Sequence, residues 1–367
     1  SRNNAQYDAN TAFDARNIGE VNVYSIYSRN QITTNWSSIF QVARTYDKGN
    51  TYTTPLPAGR STFNTEATQI SWQNDIKIGT DVLQVIAERR DEDVESTSAS
   101  LNRGRDTKSL ALAYLVKRGA HLGSISTRYD DSSAYGSHVT GSLGYGYRIT
   151  DALRFSGSVG TSFRAPTFNE LYFAGYGNVE NRPEEGKNAE LGIYYDDGKS
   201  DFSVAYYRNQ ITDLLINQRC VGGPANSSCA YNVNEALLTG LSFGAGTRLG
   251  NFRLYGALDL QNPMDETTSK RLERRARYHG SLGLEHKAEK IKTGVDVVFS
   301  GSRFNNAANT QTLGGYALLN MHVSYDLTGD WQLFARWNNM LDKKYTLARG
   351  YETAGSNALV GVRYGFY

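Results

Sequence analysis

No stretch of about 18 consecutive apolar residues occurs in this 367-residue chain, which excludes an ordinary membrane-spanning helix. The exclusion stops there, because a strand that crosses a bilayer needs only one apolar face. Charge of one sign is lacking too: 39 Lys and Arg stand against 37 Asp and Glu, and a net charge of +2 gives nucleic acid no reason to bind. Proline (six) and methionine (three) are scarce while glycine (36) and tyrosine (25) abound, a balance that favours strands, tight turns and aromatic belts over helices. Enzyme signatures are missing. His121, His138, His279, His286 and His322 are scattered, with no pair at metal-ligand spacing. No glycine-rich phosphate loop leads into a helix, and there is no nucleophile elbow. Residues 1–17 lack the basic start and apolar core of a signal peptide, so an exported protein would have its true N-terminus upstream of Ser1.

What is present is alternation. Between residues 356 and 366, Ala358, Val360, Val362, Tyr364 and Phe366 share one face, and Asn357, Gly361, Arg363 and Gly365 share the other, with Leu359 the exception. An apolar face that thickens into aromatics suits a strand with lipid on one side and a wet interior on the other. Similar patterns give about seventeen strands: 18–27, 31–44, 64–76, 82–91, 107–117, 120–129, 135–148, 152–162, 188–195, 201–213, 231–248, 252–261, 273–286, 291–300, 315–326, 331–339 and 356–366. Trp331, Leu333, Ala335 and Trp337 oppose Gln332, Arg336 and Asn338, with a Trp at each end of the strand. Short connections (28–30, 118–119, 196–199, 249–251, 288–289 and 327–330) alternate with long ones (45–63, 92–106, 163–187, 214–230, 262–272, 301–313 and 340–355). Tight turns at one end and long loops at the other are the asymmetry of an antiparallel transmembrane β-barrel, all-β and forming a single domain over 1–367. Such barrels have an even strand number, so the count implies further strands before Ser1, and the C-terminus falls on the turn side.

Two cysteines, Cys220 and Cys229, lie close together in a Gly/Asn/Ser-rich stretch, which suggests a loop disulfide in an oxidising compartment, the alternative being two free thiols. Lys270, Arg271, Arg274, Arg275 and Arg277 form a basic cluster at a long-loop end, either a solvated strand tip or a contact for anionic lipopolysaccharide.

The long loops carry the more specific signal. Residues Thr161-Ser162-Phe163-Arg164-Ala165-Pro166-Thr167-Phe168-Asn169-Glu170-Leu171-Tyr172 are followed by Asn181-Arg182-Pro183-Glu184-Glu185-Gly186-Lys187-Asn188-Ala189-Glu190-Leu191-Gly192. With Asn209-Gln210-Ile211-Thr212-Asp213, Tyr231-Asn232-Val233-Asn234 and Asn339-Met340-Leu341-Asp342-Lys343-Lys344-Tyr345, the pattern resembles TonB-dependent outer-membrane receptors. Gly350-Tyr351-Glu352-Thr353-Ala354-Gly355 makes the vitamin B12 (cobalamin) transporters the most similar branch. Ser242 departs from the family, which usually has a carboxylate there. The residues themselves read as braces: Pro and Asn fix loop turns, and Glu190 points into a polar lumen where it can pair with arginines.

The resemblance implies a monomeric, non-catalytic receptor in the outer membrane of a Gram-negative bacterium, which imports a scarce small molecule, cobalamin or a metal chelate. It also implies a whole protein of about 22 strands around an N-terminal plug that engages TonB, with plug and early strands lying outside this chain. Asp8, Asn10 and Asp14 in one polar loop and Tyr46 and Asp47 at the start of the next offer oxygen ligands suited to Ca²⁺. Cobalamin transporters bind calcium at comparable loops, so Asp8, Asp14, Tyr46 and Asp47 are the candidate ligands of a structural ion, the alternative being solvated loop acids. Rival readings are a siderophore or haem receptor, a passive porin-like channel, and a carbohydrate-active β-sandwich with paired carboxylates in a cleft.

Overall fold

The computed structural model describes residues 2–6, 15–54, 57–224 and 227–365. Among these, seventeen strands of eight residues or more follow one another with almost no helix. The chain divides into two compact units, one of residues 1–147, 157–189 and 209–236, the other of 148–156, 190–208 and 237–367.

In the first unit the strands Arg16–Thr33, Trp36–Tyr52, Arg60–Ile78, Asp81–Ser96, Arg103–Arg118, His121–Ser132 and Gly136–Arg148 pair consecutively and antiparallel. A short strand, Arg2–Gln6, adds to the edge of the first. Phe40, Trp72, Ala87, Leu110, Tyr129 and Val139 fall in one register row across six strands, and all but Ala87 are exposed. The adjacent row, Gln41, Ser71, Glu88, Ser109, Asp130 and His138, belongs to the opposite face because side chains alternate along a strand. That face is tied by polar contacts: Ser109 Oγ donates to Asp130 (2.5 Å), and Arg128 pairs with Asp130 (2.8 Å) and Glu88 (3.1 Å). One side therefore seeks lipid and the other water.

The tight turns are made by residues that tolerate them. Gly79 (φ 63°) and Gly119 (φ 58°) take the left-handed conformation that two-residue hairpins require. The first turn corrects the expectation, lying at Thr34 and Asn35 instead of 28–30. Both stretches are equally rich in turn formers, and the register rather than the local chemistry selects one. Two supposed loops are also largely strand, since the hairpins run up to Tyr52 opposite Arg60 and to Val94 opposite Arg103. These extensions carry polar residues on both faces with only isolated apolar ones such as Phe63 and Val94, so side-chain periodicity is weak there, and the backbone ladder holds them.

In the second unit Phe252–Asp265, Tyr278–Ala288, Ile291–Ser300, Tyr316–Asp326, Trp331–Asn338 and Asn357–Tyr364 again pair in sequence. The strand expected from 273 begins only at Tyr278, because Arg274 adopts φ 57° and breaks the extended run. Leu333 and Val362 are register partners and both exposed. Trp331 packs on Tyr364 (4.5 Å between centroids) at the turn end, and Trp337 Nε1 donates to Ser356 Oγ (2.7 Å) at the loop end, so aromatics bound the apolar stretch at both ends. Four further strands, Leu153–Arg164, Glu184–Asp196, Ser200–Gln218 and Cys229–Leu249, contribute residues to both units, as does Gly136–Arg148 through its last residue.

Candidate functional site

At the loop end of the first unit a compact platform is built on Arg164, the last residue of its strand. Arg164 Nε and Nη2 donate to the two oxygens of Glu184 (2.8 and 2.7 Å), a planar fork meeting a carboxylate. The same guanidinium reaches Glu170 (3.2 Å), on the one-and-a-half-turn helix Phe168–Tyr172. Thr167 caps that helix: its Oγ1 accepts from Glu170 N, and Glu170 Oε2 accepts from Thr167 N. Burial pushes the Glu170 carboxyl up, but hydrogen bonds from Arg164 and Thr167 outweigh it and hold the group below the ordinary glutamate range.

Around this charge cluster the platform is packed and pinned. Phe168 is buried with Val94 and Leu101, flanked by Phe63 and Tyr172. Arg105 lies over the Phe168 ring (4.8 Å), pairs with Glu92 (2.7 Å) and donates to the Pro166 carbonyl (3.0 Å). Asn181, 7% exposed, donates to the carbonyls of Glu170 (2.8 Å) and Ala230 (3.1 Å). Arg182 pairs with Asp213 (2.5 Å), and Asn232 bonds both the N–H and the carbonyl of Arg182. Glu184 also accepts from Leu215 N (2.8 Å). Cys220 and Cys229 are joined in a disulfide, with Cα atoms 5.0 Å apart, beside the Gly175 carbonyl.

The motifs quoted from the sequence are thus braces in which three segments distant along the chain hold one another. The second unit repeats the device on a smaller scale. Asn339, 2% exposed, donates to the Lys343 carbonyl (3.0 Å) and accepts from Lys343 N (2.9 Å). Asp342 accepts from Ser356 N (2.8 Å), and that bond, helped by Lys344, holds its carboxyl below the usual range.

Three expectations change. Glu190 accepts from Tyr194 OH (3.0 Å) rather than from an arginine, and Arg154 lies over the Tyr194 ring (4.9 Å). Ser242, where the family has a carboxylate, donates to Asp259 Oδ2 (2.6 Å), and Tyr207 OH donates to Oδ1 (3.0 Å), so the neighbouring strand supplies the carboxylate. Of the calcium candidates, Asp8 and Asp14 lie outside the described residues, as does Asn10. Tyr46 and Asp47 are neighbours within the strand Trp36–Tyr52 and not in a loop, so their side chains leave on opposite faces. Tyr46 packs on Tyr24 (6.3 Å) and under Arg44 (5.2 Å). Among the described residues no three His, Cys, Asp or Glu side chains gather at metal-binding distance. Asn232 stood in a quoted motif without a role, and nothing in the sequence marked Asp259 or Arg105, because each acts on a partner set by strand register or loop folding.

Apolar and polar faces in alternation, aromatic ends, tight turns opposite long braced loops, and strands paired in sequence define an antiparallel β-barrel of the outer-membrane class. The chain belongs to the family described as TonB dependent receptor-like, beta-barrel, whose model it matches over residues 1–340. Among curated relatives, the vitamin B12 transporter BtuB of Photobacterium profundum is 29% identical over 318 residues, 86% of this chain and 52% of the relative. BtuB of Vibrio vulnificus is 29% identical over 267 residues, 71% and 43% of the two chains. The chain therefore spans about half the length of the curated relatives it matches. Solved structures agree on the fold: a mutant of the ferric enterobactin receptor PfeA from Pseudomonas aeruginosa gives a TM-score of 0.77 at 16% identity, covering 96% of this chain and 62% of that one. The siderophore receptor PirA from Acinetobacter baumannii gives 0.76 at 16% identity, covering 95% and 63%.

Proposed function

We propose that this chain is the barrel portion of a receptor that binds cobalamin at the cell surface and imports it across the outer membrane, using energy delivered through TonB. The observation that carries the reading is the similarity to vitamin B12 transporters over 86% of the chain. The braced loop platform supports it, because a receptor that captures a scarce ligand needs loops held in shape before binding. In this reading the polar face lines a lumen, the long loops face the medium, and no bond in the ligand is made or broken. A structural Ca²⁺ held by Asp8, Asp14, Tyr46 and Asp47 belongs to the same proposal.

The test is growth of a receptor-deficient host on limiting cobalamin with the full-length gene supplied. Rescue that disappears when TonB is deleted is expected. Failure on cobalamin with rescue on a ferric chelate would move the assignment to a siderophore receptor, and uptake independent of TonB would move it to a passive channel.

A further inference from the structure

Two adjoining hollows lie on the apolar side of the second unit. The one nearer the loops has a volume of 590 Å³ and is lined by Tyr206, Leu241, Leu260 and Tyr278 together with Arg271 and Arg277. The next, of 520 Å³, continues along the same strands, lined by Phe202, Phe243, Leu254, Leu258, Leu282 and Phe299. Leu260 is in register with Tyr278 and Gly256 with Leu282, whereas Asp259, on the other face, takes its bonds from Tyr207 and Ser242. The hollows therefore face lipid and not the lumen.

Gly256 and Gly280 make the hollow possible. A Cβ on Gly280 would collide with the Ala257 carbonyl oxygen and lie 2.8 Å from Phe299 Cζ. From Leu260 to Leu254 the trough runs about 20 Å at about 3.4 Å per residue. One leaflet contributes about 15 Å of hydrocarbon, so the trough takes an acyl chain along its full length.

The loop end of the trough is basic and fixed. Asn309 bonds both the N–H and the carbonyl of Arg271 (2.9 Å each), and the Arg271 guanidinium lies over the Phe304 ring (5.3 Å). The Arg277 carbonyl accepts from Gln261 N (2.7 Å), and Arg274 N donates to the Phe304 carbonyl (2.6 Å). Among the described residues, Arg271, Arg274, Arg275 and Arg277 have no carboxylate at ion-pair distance, whereas Arg253 and Lys292 of the same unit share Glu285. Glu273, within the cluster, is half-buried, and burial pushes its carboxyl up against the opposing pull of Arg274. Arg271 and Arg277, the two arginines that line the apolar trough and have no carboxylate at ion-pair distance, call for an anion that carries hydrocarbon.

We propose that the trough is a docking site for a phosphorylated, multiply acylated glycolipid of the outer leaflet, with phosphate on Arg271 and Arg277 and an acyl chain over Leu260, Leu258 and Leu254. Guanidinium and phosphate form charge-assisted hydrogen bonds, and the chain replaces disordered lipid along a preformed surface. The proposal rests on the long loops facing the medium, as in the function proposed above.

The intact receptor, purified in detergent and stripped of lipid, would be titrated by native mass spectrometry with diphosphoryl hexa-acyl lipid A, with the same lipid dephosphorylated, and with phosphatidylethanolamine. The expected result is at least tenfold tighter binding of the diphosphoryl form. Arg271→Ala with Arg277→Ala should abolish that preference and leave phosphatidylethanolamine unchanged, and Ala245→Trp, at a small residue that also lines the second hollow, should weaken lipid A with the arginines intact. If the double variant fails to fold, judged by heat-modifiable migration, Arg277→Gln alone and Ala245→Trp decide the matter. Equal affinity for phosphorylated and dephosphorylated lipid, or affinity untouched by these variants, overturns the proposal. Surface labelling of loop residues on whole cells reports separately whether the long loops are external, so failure of that premise is told apart from failure of lipid binding.

Discussion

Arg164→Ala is the most informative single change, because it removes the group on which the loop platform converges. Two charge-assisted hydrogen bonds to Glu184 are lost, and that carboxylate, whose side chain is 11% exposed, keeps only Leu215 N. Breaking a fully buried pair costs about 3–5 kcal/mol and a surface pair about 0–1 kcal/mol. Arg164 is itself 44% exposed, which places the loss between these limits, at about 2–3 kcal/mol. The cost should fall on local opening of residues 165–183 and leave the strands closed. At tenfold per 1.4 kcal/mol, amide exchange should quicken about 30- to 150-fold at Leu171 and Phe173, whose N–H groups bond Thr167 and Asn169. Glu170→Gln leaves the Glu184 fork in place and should cost about 0.5–1 kcal/mol. Hydrogen exchange read by mass spectrometry on the membrane-reconstituted receptor resolves both. Unchanged exchange at Leu171 and Phe173 in Arg164→Ala, or equal acceleration throughout Leu153–Arg164, would refute the reasoning.

Acid should act on the same loop with a definite sign. The Glu170 carboxyl is held below its unfolded value of about 4.3, so its contribution is present above that pH and lost as pH falls through the lower folded value; the protection factor at Leu171, observed exchange divided into the intrinsic rate at each pH, should be flat from neutrality to about pH 5 and fall below about pH 4. Cys220→Ser with Cys229→Ser should cost about 2–3 kcal/mol, felt as proteolytic nicking of the 219–228 loop with barrel melting unmoved. Leu333→Arg on the lipid face should cost about 2–4 kcal/mol in a refolding titration and Gln332→Arg clearly less, and equal costs would contradict the facing. Calorimetry with Ca²⁺ should show binding to the full-length receptor that Asp47→Ala removes, and unchanged affinity would retire that site.

What the sequence disclosed depended on whether a solvent enforced the pattern. Strands such as Phe252–Asp265 and Trp331–Asn338 have lipid on one side and a polar interior on the other, so period-2 alternation was written into them and they were found within a few residues. The upper parts of Trp36–Tyr52 and Asp81–Ser96 have polar groups on both faces, and their extended form rests on backbone hydrogen bonds that leave no mark in composition. The platform was legible as a motif and opaque as a network. Arg164, Glu170 and Glu184 could be singled out from their chain neighbourhood, but the bonds from Asn232 to Arg182, and from Ser242 to Asp259, join positions whose proximity is decided only when the strands take their register.

A peptide inserted after Thr54 would ride on a rigid mast. The rungs beneath it end at Tyr52 opposite Arg60, with the Arg60 guanidinium over the Tyr52 ring (5.7 Å) and the Thr53 N–H bonded to the Gly59 carbonyl (2.8 Å). Because main-chain bonds carry that ladder, its side chains are free to be rewritten, and the surface of the hairpin can change while the strands below it stay as they are.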